Sequence, residues 1–115
     1  GLMRRVVRKP AARIDIISIA VHFGEVDLAL MERFLNAAES TIAYLAEHSD
    51  VAPFAGLDDY PNLRRWPIKG FNQYMIFHIT DENTLTIIRI MHGAQDVPRA
   101  IEGDASASEQ TNKDD

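Results

Sequence analysis

An α+β fold, with a helical hairpin packed on a small antiparallel sheet, is what this sequence predicts. From Ala11 to His48 apolar residues recur at three- and four-residue spacing, the period of helices that bury one stripe. Beyond Asn62 the period shortens to that of strands, and a tight DEN turn separates two such runs. Only a few residues part the two helical stretches, which forces them to fold back as a hairpin.

Taken in order, RRVVR at residues 4–8 is a short β-prone run, and Pro10 ends it. Ile16, Ile19, Ala20 and Phe23 then form the inner stripe of an amphipathic helix, with Arg13, Ser18 and His22 between them. Gly24 closes that helix. Asp27 is placed to cap a second one, whose inner stripe reads Met31, Phe34, Leu35, Ala38, Ile42 and Leu45 while Glu32, Arg33, Asn36, Glu39 and Glu47 face out. It should run to about His48. SDVAPFAGLDDYP has the composition of a loop. NLRRWPIK, interrupted by Pro67, FNQYMIFHI and TLTIIRIMH follow as three strands, the last two an antiparallel hairpin. A short helix is expected near Val97 to Ile101. The order is β-α-α-β-β-β, with the helices on one face of the sheet.

With 115 residues, the chain suits one domain with a real core. It has no cysteine, which excludes disulfides, thiolate metal sites and cysteine nucleophiles. No apolar run approaches the ~20 residues that span a bilayer, and MRRVVRKP is not followed by the apolar region of a signal peptide, so a cytoplasmic protein without a membrane partner is expected. The net charge of −5 is concentrated at one end. Residues 102–115 hold five acids against Lys113 alone, which leaves twelve acids and eleven bases in residues 1–101. Residues 1–101 are thus read as the folded domain and residues 102–115 as an acidic, disordered tail with nothing to bury. A nearly neutral body lacks the broad basic surface that direct nucleic-acid binding uses.

His22, His48, His78 and His92 fall on different elements without a metal-ligand spacing, so neither metal nor cofactor is expected. Gly56, Gly70 and Gly93 are isolated and form no phosphate loop. What remains is a scatter of basic and polar residues on the strands: Arg64, Arg65, Lys69, Tyr74, Arg89 and His92. Such a set has the chemistry to cleave RNA, with His92 as general acid or base and the cations on the phosphate. In a regular strand, however, Arg89 and His92 point to opposite faces. Strand geometry therefore favours a structural or binding role for His92.

Several segments, in order, resemble the RelE/ParE toxin superfamily. They are Ala12-x-x-Asp15-Ile16-x-x-Ile19-Ala20, Arg33-Phe34-Leu35-Asn36-Ala37 leading to Leu45-Ala46, Leu63-Arg64-Arg65-x-Pro67, Tyr74-Met75-Ile76-Phe77 and Ile88-Arg89-Ile90-Met91-His92-Gly93-Ala94-Gln95-Asp96. The ending is most similar to the ParE branch, the plasmid stabilisation proteins, with Gln95 where that branch usually has arginine. The resemblance implies the toxin of a type II toxin–antitoxin pair, partnered by a ParD-like antitoxin. It implies a non-catalytic inhibitor that binds DNA gyrase and blocks replication, with Arg64, Arg65, Arg89 and His92 as target-binding residues. The RelE branch supplies the alternative: a ribosome-dependent mRNA endonuclease, in which Lys69, Arg89 and His92 would be catalytic.

Overall fold

Strand β1 (Arg5–Arg8) passes straight into helix α1 (Pro10–Gly24), since Pro10 has no amide hydrogen for a sheet and its fixed φ suits a first helical turn. The computed structural model describes residues 3–93 and 95–104. After α1, the Asp27 carboxylate accepts the Ala29 N–H at 3.0 Å and starts helix α2 (Leu28–His48). A 3₁₀ turn at Ser49–Val51 leads into the loop, and then come β2 (Arg64–Ile68), β3 (Phe71–Thr80) and β4 (Thr84–His92). Gly70, at φ +83°, supplies the left-handed residue of the β2–β3 turn. Asp81 closes the β3–β4 turn by accepting the N–H groups of Asn83 and Thr84 at 2.9 and 2.8 Å. A last helix, α3, begins at 97 and is described through 104. The order is the one expected from the periodicities.

Strand order in the sheet is β1-β4-β3-β2. β2, β3 and β4 form the antiparallel meander, while β1 lies parallel to β4, from Arg5 opposite Thr84 to Arg8 opposite Ile87. The sheet is therefore mixed, because the helical hairpin carries the chain from one edge of the sheet to the other before the meander begins. Arg8 and Glu39 join β1 to α2 through two hydrogen bonds of 2.7 and 2.6 Å. The Arg8 guanidinium, chiefly by these bonds, holds the Glu39 carboxyl below its ordinary pKa.

One face of the sheet lies under α1 and α2, where Ala12, Ile16, Phe34, Ile42, Ile76 and Ile87 belong to a single core. Phe23, Phe34, Phe71 and Tyr74 close one end of it, with Phe34 edge-on to Phe71 at 5.4 Å between centroids. The other face is covered as well. Leu63, Phe77, Met91 and Val97 form a second cluster, completed by Leu57 and Tyr60 of the loop and Ile101 of α3. The hairpin packs on one face as expected, while α3 and the loop cover the other. The near-continuous apolar runs of β3 and β4 match strands buried on both sides.

Beyond Ile87 the strand β4 runs on without β1, because the last sheet bond from the β1 side, Lys9 N–H to Ile87 C=O, precedes the turn into α1. At this point β4 bulges, with Phe77 opposite Arg89 and His78 opposite Ile87, so Ile88 is the extra residue. Asp15, in the middle of α1, takes the place of a strand. Its Oδ2 accepts the Ile90 N–H at 2.9 Å and the Arg89 Nε–H at 2.7 Å, and its Oδ1 accepts from Arg89 Nη2 at 2.8 Å. The remaining arm of Arg89, Nη1, donates to Asp104 of α3 at 3.0 Å. The bonds from Asp15 raise the Arg89 pKa further still.

This contact involves a residue beyond Ile101. The helix α3 opens with Asp96 accepting the Arg99 N–H at 3.3 Å and continues through 104, past the boundary after Ile101 that composition implies. Asp104, assigned by composition to the tail, is an ion-pair partner of the core strand. The expected disorder of residues 105–115 falls outside the described residues.

Two expectations about stability follow. The Asp15 and Arg89 side chains are only 12% and 17% exposed, so Asp15→Ala leaves Arg89 with Asp104 alone, strands the Ile90 amide and should cost about 3 kcal/mol in urea unfolding. Asp104→Asn, at a position 37% exposed, should cost less than about 1 kcal/mol. His78 is fully buried opposite Arg64, with Nδ1 3.0 Å from the Ile76 carbonyl and Nε2 without a hydrogen-bond partner among the described residues. Burial, reinforced by Arg64, lowers its pKa. The unfolded chain therefore holds more protons in the window below about pH 6.5, and stability falls as pH drops through it, by at most about 1.4 kcal/mol per unit. Unfolding free energies of the wild type between about pH 7.5 and 5.5 should show that slope, and His78→Leu should lack it. Glu39, its pKa lowered, acts only at more acid pH.

Candidate functional site

The five residues given binding or catalytic roles by sequence, Arg64, Arg65, Lys69, Arg89 and His92, are not gathered into one cluster. Arg64 is half-buried, with Nη1 donating to the Ala52 carbonyl at 2.5 Å and its guanidinium 4.1 Å from the centre of the Phe54 ring. Arg65 is exposed in a row that runs through Phe77 to Arg89, so a phenylalanine separates the two cations. Arg89 is held between Asp15 and Asp104. Lys69 stands exposed at the β2–β3 turn, where its backbone N–H donates to Thr41 Oγ1 of α2 at 3.3 Å.

His92 ends β4. Its ring lies edge-on to Tyr74 at 5.7 Å, and its N–H donates to Gln95 Oε1 at 2.8 Å while Gln95 N–H returns to the His92 carbonyl at 3.0 Å. Gln95 thus closes the turn that follows the strand. The bulge at Ile88 precedes Arg89 and leaves the alternation from Arg89 to His92 intact. Tyr74 belongs to the helix-side core and Phe77 to the opposite one. His92, paired with Tyr74, and Arg89, paired with Phe77, consequently point to opposite faces. Among the described residues no group of three or more His, Asp or Glu could hold a metal ion.

Two surfaces were not singled out by sequence. On α1, Ile14, Ile17 and Val21 are 63%, 63% and 53% exposed, and the stripe continues at the helical turn through Val26 and Leu28. α1 is therefore apolar on its outer face as well as on the inner face of Ala12, Ile16 and Ala20, which corrects its reading as amphipathic. IDIISIAV carries more apolar residues than one buried stripe can use, and that excess was the available signal. Contiguous exposed apolar rows are the kind of surface that proteins use for contacts with other proteins, membranes or ligands.

The second surface is a groove of about 710 Å³ between α2 and the β2–β3 hairpin. Asn36, Ser40 and Tyr44 line one wall; Trp66, Lys69 and Asn72 line the other. The Tyr44 ring stacks on Trp66 at 6.1 Å and on His48 at 4.6 Å. Beside the groove the edge of β2 is closed to a further strand, since the Arg65 N–H is spent on the Pro53 carbonyl at 3.0 Å and Pro67 has no N–H.

No curated protein matches the chain. A solved structure titled "Chromosomal ParDE TA system from P. aeruginosa" is similar to it at a TM-score of 0.61 and 15% identity, over 78% of this chain and 96% of that one. At that identity the likeness establishes the fold. The sequence model described as "ParE toxin of type II toxin-antitoxin system, parDE" matches residues 6–97, from β1 to the start of α3. Since this match spans most of the chain, the whole helical hairpin and all of the sheet but Arg5, the chain belongs to the family of ParE toxins of type II toxin–antitoxin systems.

Proposed function

We propose that this chain is a toxin that acts in the cytoplasm by binding DNA gyrase and blocking replication, and that a ParD-like antitoxin neutralises it. The family match over residues 6–97 carries this reading. Binding is favoured over hydrolysis by the way the basic residues are used. Arg89, the one cation common to the binding and cleaving sets, has all three guanidinium nitrogens engaged by Asp15 and Asp104. Lys69 and His92 stand on a turn and on a strand end separated by β3. A protein partner is favoured by the outer stripe of Ile14, Ile17 and Val21, which a lone soluble domain has no reason to keep.

The purified chain should inhibit supercoiling by gyrase and leave a cell-free translation reaction intact. Cleavage of mRNA in the second reaction, with supercoiling unaffected, would replace this reading by the endonuclease one. His92→Gln keeps a hydrogen-bonding side chain but cannot shuttle a proton near neutral pH. It should therefore retain most growth inhibition, whereas loss of a general acid or base costs ~10²- to 10⁴-fold in rate. Loss of toxicity in a folded His92→Gln protein would count against a purely binding mode.

A further inference from the structure

The outer face of α1 is built so that it complements itself. Ile14, Ile17 and Val21, all exposed, follow one another at spacings of three and four residues, the seam along which one helix packs on another. Charge is divided between the two ends of that seam. Lys9 and Arg13 stand exposed at its start and Glu25 and Asp27 at its end, and among the described residues Lys9, Arg13 and Glu25 enter no ion pair. Arg13 and Glu25 are equally far in sequence from position 19, the midpoint of Ile17 and Val21.

This symmetry of distance with opposite charge selects a second copy, turned end for end. About a two-fold axis at that midpoint, antiparallel α1 helices set Ile17 of each copy against Val21 of the other and bring each basic end level with an acidic one. A parallel pair would place like charge beside like and align the helix dipoles unfavourably. Area sets the strength. Ile14, Ile17, Val21, Val26 and Leu28 are between 53% and 77% exposed. At on the order of 100 Å² for each aliphatic side chain, two copies share up to about 1,000 Å² of apolar surface, the size at which a specific interface becomes possible. The pairing is therefore reversible. A membrane surface fits less well, because helices that lie on membranes carry Lys and Arg along their polar face, whereas this one runs into Glu25 and Asp27 in a chain of net charge −5.

We propose that two copies of this chain pair through the outer faces of their α1 helices, antiparallel, as a symmetric and reversible dimer. The pairing involves the chain alone and does not rest on the function proposed above. In sedimentation equilibrium the full-length protein should be a dimer at about 100 μM, the range expected of so small an interface. Ile17→Glu, which sets two carboxylates near the axis, should weaken it by at least ~10-fold, and Ile17→Leu should pair normally. Because the chain has no cysteine, one introduced thiol reports on the arrangement. Ser18→Cys lies one residue from the axis, whereas the two thiols of Glu25→Cys stand about 18 Å apart along the helices, beyond the ~7 Å that a disulfide spans between Cα atoms. Under mild oxidation Ser18→Cys should therefore cross-link at least ~10-fold faster than Glu25→Cys. Positions 17, 18 and 25 are exposed, so equal melting temperatures will show that the variants fold. A dimer untouched by Ile17→Glu overturns the interface, and equal cross-linking at positions 18 and 25 overturns the antiparallel pairing. A protein that stays monomeric, with Ile17 covered instead by anionic vesicles or by the antitoxin, overturns the proposal in favour of that occupant.

Discussion

A sheet strand that outlasts its neighbour leaves backbone groups that something else must satisfy, and in this protein the carboxylate of Asp15 does so. β4 continues past the end of β1, and Asp15 meets the Ile90 N–H and two nitrogens of Arg89 at the point where pairing stops. A buried ion pair is weak evidence for stability, because desolvation offsets much of the attraction. Its effect here is geometric. It fixes the rotation of α1 over the sheet, with Ala12, Ile16 and Ala20 inward, and that rotation turns Ile14, Ile17 and Val21 to solvent. Through its third nitrogen Arg89 also anchors α3, so a single guanidinium joins the layers on both faces of β4.

Elements governed by local pattern were legible in the sequence. Pro10, Gly24 and Asp27 mark helix ends by their own chemistry, and the structure places the boundaries there. Features set by distant partners were not. Nothing in RRVVR says that it lies parallel to β4, since that depends on where the hairpin delivers the chain. Asp104 reads as a tail residue until Arg89 is known to face it. The bulge at Ile88 leaves no mark in a strand whose residues are apolar on both sides.

The family was readable because its signature is an ordered set of weak motifs, each tied to an element that must be present. The site was harder. Basic residues on strands attract attention, yet charge alone does not tell whether a side chain faces solvent or an internal acceptor. Arg64 and Arg89 proved to have internal partners, Ala52 for one and Asp15 with Asp104 for the other. Gln95, a departure from the usual arginine, serves locally as acceptor for the His92 N–H, which an arginine side chain could not do. Asn36, read as part of a solvated face, lines one wall of the groove beside α2.

The placement of the second core decides which surfaces are left for partners. α3 and the loop seal the far face of the sheet with Leu63, Phe77, Met91 and Val97, and Pro67 with the Pro53 carbonyl closes the β2 edge. The outer stripe of α1 and the groove beside α2 both lie on the helical layer. Each helix therefore serves the fold with one face and presents another to solvent. That division explains why α1 is apolar nearly all round without being buried all round. It also gives the arginine of the terminal motif an architectural role: by locking α1 against β4, Arg89 sets the orientation of a surface it does not itself reach.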